Sequence, residues 1–154
     1  MEAPDVETSS EAYARRFAGP VGEWFLDVQA RTGGDLLGPW PGATVLDVGG
    51  GHGQLTGPLV AAGHAVTVYG SEPSCGRRVE AWVASGKARF ESGDLLRTPF
   101  ADRGFDAVVC FRLLPHVGDW RRLVAELCRV ARHAVVLDYP SGRSVTRLPG
   151  PCSG

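Results

Sequence analysis

Lysine is nearly missing from this chain: Lys87 stands alone among 154 residues, beside 15 arginines. With 21 glycines and 11 prolines, that bias reads as codon usage in a GC-rich genome and not as chemistry. Charge of one sign is also lacking, since 16 basic residues face 17 acidic ones for a net of −1. No electrostatic footprint for nucleic acid or an anionic membrane surface results. No run approaches the ~18 apolar residues of a spanning helix. The acidic start Met1-Glu2-Ala3-Pro4-Asp5-Val6-Glu7 has no apolar core segment, so no secretory signal is expected. Cys75, Cys110, Cys128 and Cys152 stand far apart without a C-x-x-C pair, which argues against zinc or a redox couple, and no metal site is expected. Reduced thiols and a cytoplasmic location are the simplest reading. Internal repeats and low-complexity tracts are absent.

What is present is an ordinary globular composition, 44% apolar and 21% charged, at single-domain length. Residues 1–42 read as a disordered tip and a helical preface. Thr8-x-x-Glu11 suggests a capping box, and Tyr13 and Phe17 share a helix face. Gly19-Pro20 breaks that helix; Val21, Trp24, Phe25 and Val28 mark a second, which Gly33-Gly34 is expected to end. Residues 43–142 alternate between strands and helices. Ala43–Val48, Ala65–Tyr69, Ala88–Glu91, Asp106–Phe111 and Ala134–Asp138 are apolar without a two-residue period, as strands covered on both faces are. Helices are expected over Gln54–Ala62, Gly76–Ser85 and Trp120–Arg132, the last with Trp120, Leu123, Val124, Leu127, Val130 and Ala131 in one stripe. Strand-helix alternation implies right-handed βαβ units and a doubly wound α/β sheet. Residues 143–154 read as an irregular tail.

The strongest local signal is Val45-Leu46-Asp47-Val48-Gly49-Gly50-Gly51-His52-Gly53-Gln54, a strand entering a glycine-rich turn and then a helix. Glycines there permit positive φ and close approach of a ligand to the backbone, and helix N–H groups can receive an acceptor. The dinucleotide pattern G-x-G-x-x-G requires glycine where Gln54 stands, and the P-loop requires a lysine this loop lacks. What remains is D-x-G-x-G-x-G, at Asp47, Gly49, Gly51 and Gly53.

This pattern resembles the first motif of the class I S-adenosylmethionine-dependent methyltransferases. The resemblance extends over about residues 12–142, through Ser92-Gly93-Asp94-Leu95-Leu96, through Phe105-Asp106-Ala107-Val108-Val109-Cys110-Phe111-Arg112-Leu113-Leu114-Pro115-His116-Val117, and through Glu126 and Arg129-Val130 in the following helix. It implies a Rossmann-like, mostly parallel sheet of about five strands in the order 3-2-1-4-5, S-adenosyl-L-methionine as cofactor, and methyl transfer to a small-molecule acceptor. It also implies cofactor binding by Asp47, Gly49, Gly51, Gly53, Asp94 and Leu95, with Asp94 facing the adenine amino group. The ribose-binding acid that the family carries at the end of its second strand falls here on Gly70; Glu72 then either reaches the ribose or is a solvated charge at a helix start. His116, after the fourth strand, is the candidate general base; its plain alternative is to orient the loop through a backbone hydrogen bond.

Two other readings stand beside this one. A catalytically inactive or truncated cofactor-binding or interaction module would explain the missing acid at Gly70 and the shortness of the chain. An NAD-dependent oxidoreductase is disfavoured by Gln54. The family implied usually has seven strands, so a fifth strand left at the sheet edge is expected to be a place for self-association.

Overall fold

A computed structural model describes residues 3–141. Five segments, Thr44–Val48 (β1), Ala65–Gly70 (β2), Ala88–Ser92 (β3), Phe105–Cys110 (β4) and Ala131–Leu137 (β5), form one sheet in the order β3-β2-β1-β4-β5. All four neighbouring pairs are parallel. This is the Rossmann-like arrangement expected from the sequence.

Side-chain alternation explains why the strands look uniformly apolar. In β1, Val45 faces a core with Val66, Val68, Leu59 and Val79, while Leu46 and Val48 face a second core with Leu113, Leu123, Leu127 and Val130. Both faces of the sheet are covered, so neither alternate set of residues is polar. Asp47 is the exception, set at the carboxyl end of the central strand and 1% exposed.

The helices are Asp5–Thr8 (α1), Glu11–Ala14 (α2), Pro20–Leu37 (α3), Thr56–Ala61 (α4), Glu80–Ala84 (α5) and Trp120–Val130 (α6). Several differ from the sequence expectation, each for a local reason. The preface begins in a helical turn and not in a disordered tip, because Asp5, Thr8 and Ser9 are buried against the sheet edge. The cap of α2 is Ser10, whose Oγ accepts from Tyr13 N–H at 3.1 Å; the Thr8 hydroxyl is already donated to the Asp5 carbonyl. α3 starts cleanly, with Gly19 at φ +90° followed by Pro20 at its first position. It then runs straight through Gly33-Gly34. Gly33 faces inward, where an added Cβ would sit 3.3 Å from the Phe111 ring, and burial of Leu37 carries the helix one more turn.

Beyond the glycine loop, α4 is shorter than expected, because residues Gly50–His52 form a 3-10 turn before it. A 3-10 stretch over Pro73–Val79 likewise replaces the front of the expected helix at 76–85. α6 is capped by Asp119, whose Oδ1 accepts from Arg122 N–H at 3.1 Å. Leu123, Leu127 and Val130 are its buried stripe; Trp120 is instead 44% exposed, with the Arg121 guanidinium 4.5 Å over its ring. The helix ends at Val130 and β5 begins at Ala131, so the strand starts three residues earlier than expected. Among the described residues β5 pairs only with β4, which makes it an edge. The expected tail lies outside the described residues.

Candidate active site at the carboxyl edge of the sheet

The sheet's carboxyl edge gathers loops after β1, β2 and β4, where ligands sit in doubly wound folds. After β1 the chain turns sharply, with Gly49 at φ +71° and Gly53 at φ +79°. A Cβ on Gly49 would lie 2.8 Å from Leu113 Cδ2, so both conformation and space call for glycine. The N–H groups offered at this turn belong to the 3-10 segment Gly50–His52, and not to an α-helix N-terminus as the sequence suggested.

Beneath the loop, Asp47 is fully buried and neither carboxylate oxygen has a hydrogen-bond partner. Burial pushes its carboxyl up to about 7, partly offset by the nearby Arg112 guanidinium. Leaving a buried charge without partners is costly, which is why the carboxyl shifts toward its neutral form; a cationic ligand beside it would reverse that shift. His52 is held down to about 4, first by burial and then by the Arg112 and Arg78 cations, which keeps it neutral. A small cavity of about 10 Å³ lies between Asp47, Gly49, Gly50, His52 and Arg112.

On the other side of Arg112 opens a cleft of about 750 Å³. Tyr13, Phe17 and Phe25 form its aromatic wall, with Phe17 and Phe25 stacked at 5.9 Å between centroids. His116, Asp138 and Tyr139 also line it. A hydrogen-bond relay crosses between the two spaces. Gln54 donates to Gln29 at 2.7 Å, Gln29 donates to Asp138 Oδ2 at 2.7 Å, and Asp138 Oδ1 accepts the Arg112 backbone N–H at 2.6 Å. Gln54, the residue that spoils the dinucleotide pattern, is thus engaged with α3. Burial raises the Asp138 carboxyl despite those donors.

The loop after β2 is arranged differently. Asp5, with no exposed surface, places its carboxylate on the Ser71 N–H at 3.0 Å. Its Oδ2 lies 3.2 Å from where a Cβ of Gly70 would be, so an acid from α1 sits beside the glycine where the second-strand acid was sought. Above Gly51 the space is taken by Ser9 Oγ and the Cys75 carbonyl, against which a Cβ would collide. Arg78 ties this cover down, donating to the His52 carbonyl at 3.0 Å and pairing with Glu11.

The remaining expected residues fall as follows. Glu72 is exposed at the start of the Pro73–Val79 turn, 3.5 Å from the Ser74 hydroxyl. Asp94 folds back to accept the Leu96 N–H at 2.9 Å. Leu95 buries its side chain with Leu46 and Tyr69, leaving only its backbone for a ligand. His116 is exposed on the cleft rim. Asp47 and Gly49 line the small cavity, whereas Gly53 faces Arg78, Val79 and Trp82 and Gly51 lies under Ser9; Glu72 and Asp94 follow β2 and β3 on the far flank.

A methyltransferase domain model matches residues 46–137, the sheet and its glycine loop. The chain belongs to the methyltransferase domain family. Among curated relatives, this methyltransferase domain is 32% identical over 102 residues to an O-methyltransferase of Pyrenophora dematioidea, covering 62% of the chain and 38% of that protein. It is 37% identical over 116 residues to a demethylmenaquinone methyltransferase of Beutenbergia cavernae, covering 72% and 42%. The chain therefore spans about two-fifths of the length of these relatives. Among solved structures, a SAM-dependent methyltransferase from Aquifex aeolicus superposes with a TM-score of 0.58 at 20% identity, over 67% of this chain and 58% of the other. One from Methanosarcina mazei gives 0.54 at 28% identity, over 60% and 49%.

The cofactor this family implies ends in an α-amino acid, and the buried, unpartnered Asp47 carboxylate fits its ammonium. Among the described residues no His, Cys, Asp and Glu cluster suited to a metal occurs, and no helix is long and apolar enough to cross a membrane.

Proposed function

We propose that this methyltransferase domain transfers a methyl group from S-adenosyl-L-methionine to a small-molecule acceptor by in-line displacement. The observation that carries this reading is Asp47: a buried carboxylate without a partner, at the end of the central strand and under a turn that needs glycine. When bound, the cofactor supplies an electrophilic sulfonium methyl group, so alignment and exclusion of water provide much of the rate.

The chain's own residues divide the work. Asp47 holds the ammonium, and Gly49 lets the ligand approach the backbone; Gly51 does so once Ser9 moves from above it, and Gly53 holds the turn at its positive φ. Glu72 reads the ribose, while Asp94 and the Leu95 N–H meet the adenine edge. The cleft between Tyr13, Phe17, Phe25 and Tyr139 receives the acceptor, and its aromatic wall suits a modest, partly apolar molecule. His116 on the rim takes a proton when the acceptor must lose one. Relatives named as O-methyltransferases and demethylmenaquinone methyltransferases support a small, partly apolar acceptor. The domain works in the cytoplasm with Cys75, Cys110 and Cys128 as free thiols and needs neither nucleic acid nor membrane.

Calorimetric titration with S-adenosyl-L-methionine tests the reading, and saturable binding is expected. Absence of binding at millimolar cofactor overturns it, and binding of NADH instead would return the oxidoreductase. A second reading, a cofactor-fold module without catalysis, is favoured by Ser9 and Asp5 lying over the loop after β1 and the end of β2. Binding without methyl transfer to any aromatic or quinone-like acceptor would select it.

A further inference from the structure

Arg112 is the residue of the carboxyl edge that neither its sequence motif nor the fold requires. It sits at φ +59°, one of two non-glycine residues at positive φ among those described. A side chain is disfavoured in that left-handed region, and the Asp138 carboxylate holds the backbone in place by accepting its N–H at 2.6 Å. That arrangement turns the guanidinium inward, over the Phe17 ring at 4.9 Å and the Tyr13 ring at 5.6 Å. Two of its nitrogens, Nε and Nη1, are fully covered and have no hydrogen-bond partner.

Across the small cavity, both Asp47 oxygens are also covered and without a partner. A half-buried guanidinium with two fully covered nitrogens and a buried carboxyl therefore line one space, each with empty hydrogen-bonding positions, and no hydrogen bond joins them. A ligand carrying both charges would meet both sets of positions. An α-amino acid head is such a ligand. The cavity of about 10 Å³ is ammonium-sized, about one water by volume. Arg112 borders that cavity and also the 750 Å³ cleft, so it has a side toward which a carboxylate can lie.

We propose that Arg112 is the carboxylate-binding residue of the cofactor site, which together with Asp47 reads the zwitterionic head of S-adenosyl-L-methionine. The inference rests on the cofactor reading above. It assigns Arg112 a partner chemistry, a planar guanidinium forming paired N–H···O bonds to a carboxylate.

Three ligands test it by calorimetry: S-adenosyl-L-methionine; its decarboxylated analogue, which keeps the sulfonium and the ammonium and lacks only the carboxylate; and 5′-methylthioadenosine, a neutral thioether that lacks the whole amino-acid arm. Wild-type protein should bind the complete cofactor about 10- to 100-fold more tightly than the decarboxylated analogue. Arg112→Gln should remove that difference and leave affinity for 5′-methylthioadenosine within about twofold; Arg112→Lys should restore part of it. Equal wild-type affinity for the complete and decarboxylated ligands overturns the assignment without recourse to any variant. So does Arg112→Gln weakening all three alike, which marks a structural role. Failure of all three ligands to bind the wild type overturns instead the cofactor reading on which the assignment rests.

Discussion

The two halves of the sheet's carboxyl edge solve the burial of charge in opposite ways. On the β1/β4 side, buried Asp47 and the covered Nε and Nη1 of half-buried Arg112 have empty hydrogen-bonding positions around a cavity. On the β2 side, the buried acid, Asp5, is satisfied from within the chain by the Ser71 N–H, and Ser9 packs over Gly51. For these two buried acids, the unmet hydrogen bonds of Asp47 leave room for a ligand, and the Ser71 N–H is the partner the chain itself supplies to Asp5. The same motif, a glycine-rich turn beside an acid, thus contributes one half that is chemically open and one half that is covered by α1 and α2.

The largest effect is expected where the open half is neutralised. Asp47→Asn should lower affinity for S-adenosyl-L-methionine by about 30-fold or more, since it removes one member of a buried charge pair. The same substitution should raise the melting temperature of the free protein by about 2–8 °C at pH 8. The sign follows from burial: a carboxyl that titrates at about 7 in the fold and at its ordinary 3.8 when unfolded loses stability as pH rises between those values. Thermal scans at pH 5 and pH 8 check it, and an unstabilised variant at pH 8 would mean that Asp47 already has a partner.

Next in size is the covered half. Asp5→Ala frees the Ser71 N–H and loosens α1, and is expected to raise cofactor affinity up to about tenfold, because ligand no longer displaces a buried contact. A drop in affinity would instead make Asp5 a ligand of the ribose, and the contrast between the halves would disappear. Gly49→Ala should cost about 1–3 kcal/mol in denaturant unfolding, from its φ of +71° and its 2.8 Å approach to Leu113. Smaller still is a proton effect. Cofactor binding at pH 7 should release a fraction of a proton as the ammonium draws Asp47 into its charged form, so the binding enthalpy should vary with buffer ionisation enthalpy. Affinity should accordingly rise with pH through 7.

Away from the site, Glu126 supports the opposite flank. Arg129 and Thr98 hold its carboxyl down to about 2, so the stability it contributes is present above its ordinary 4.5 and lost as pH falls between those values. Glu126→Gln should flatten the acid limb of the stability curve.

The sheet was legible because its evidence is local. Each strand is a short apolar run, and both faces are covered, so the lack of alternation itself pointed to parallel order. The glycine turn after β1 was legible too, since Asp47, Gly49 and Gly53 lie within seven residues of sequence. The covered half was not. Asp5 acts on Ser71 across 66 positions, and nothing in Pro4-Asp5-Val6 distinguishes a buried acid from a solvated one. Arg112 stood in plain view within the fourth-strand motif, but its inward course depends on Asp138 and two rings from the preface. Gln29 and Asp138 were unreadable for the same reason: their meaning is a relay between α3, the glycine loop and β5.

Helix α6 and strand β5 are joined by a single peptide bond, Val130 to Ala131. No loop stands between them to absorb a change in length. One residue inserted there would rotate the helix by about 100° relative to the strand or turn every β5 side chain to the other face. In the second case Asp138, seven residues downstream of Ala131, loses its hold on Arg112. A change of length at this junction therefore reaches either the core face of α6 or the carboxyl edge of the sheet.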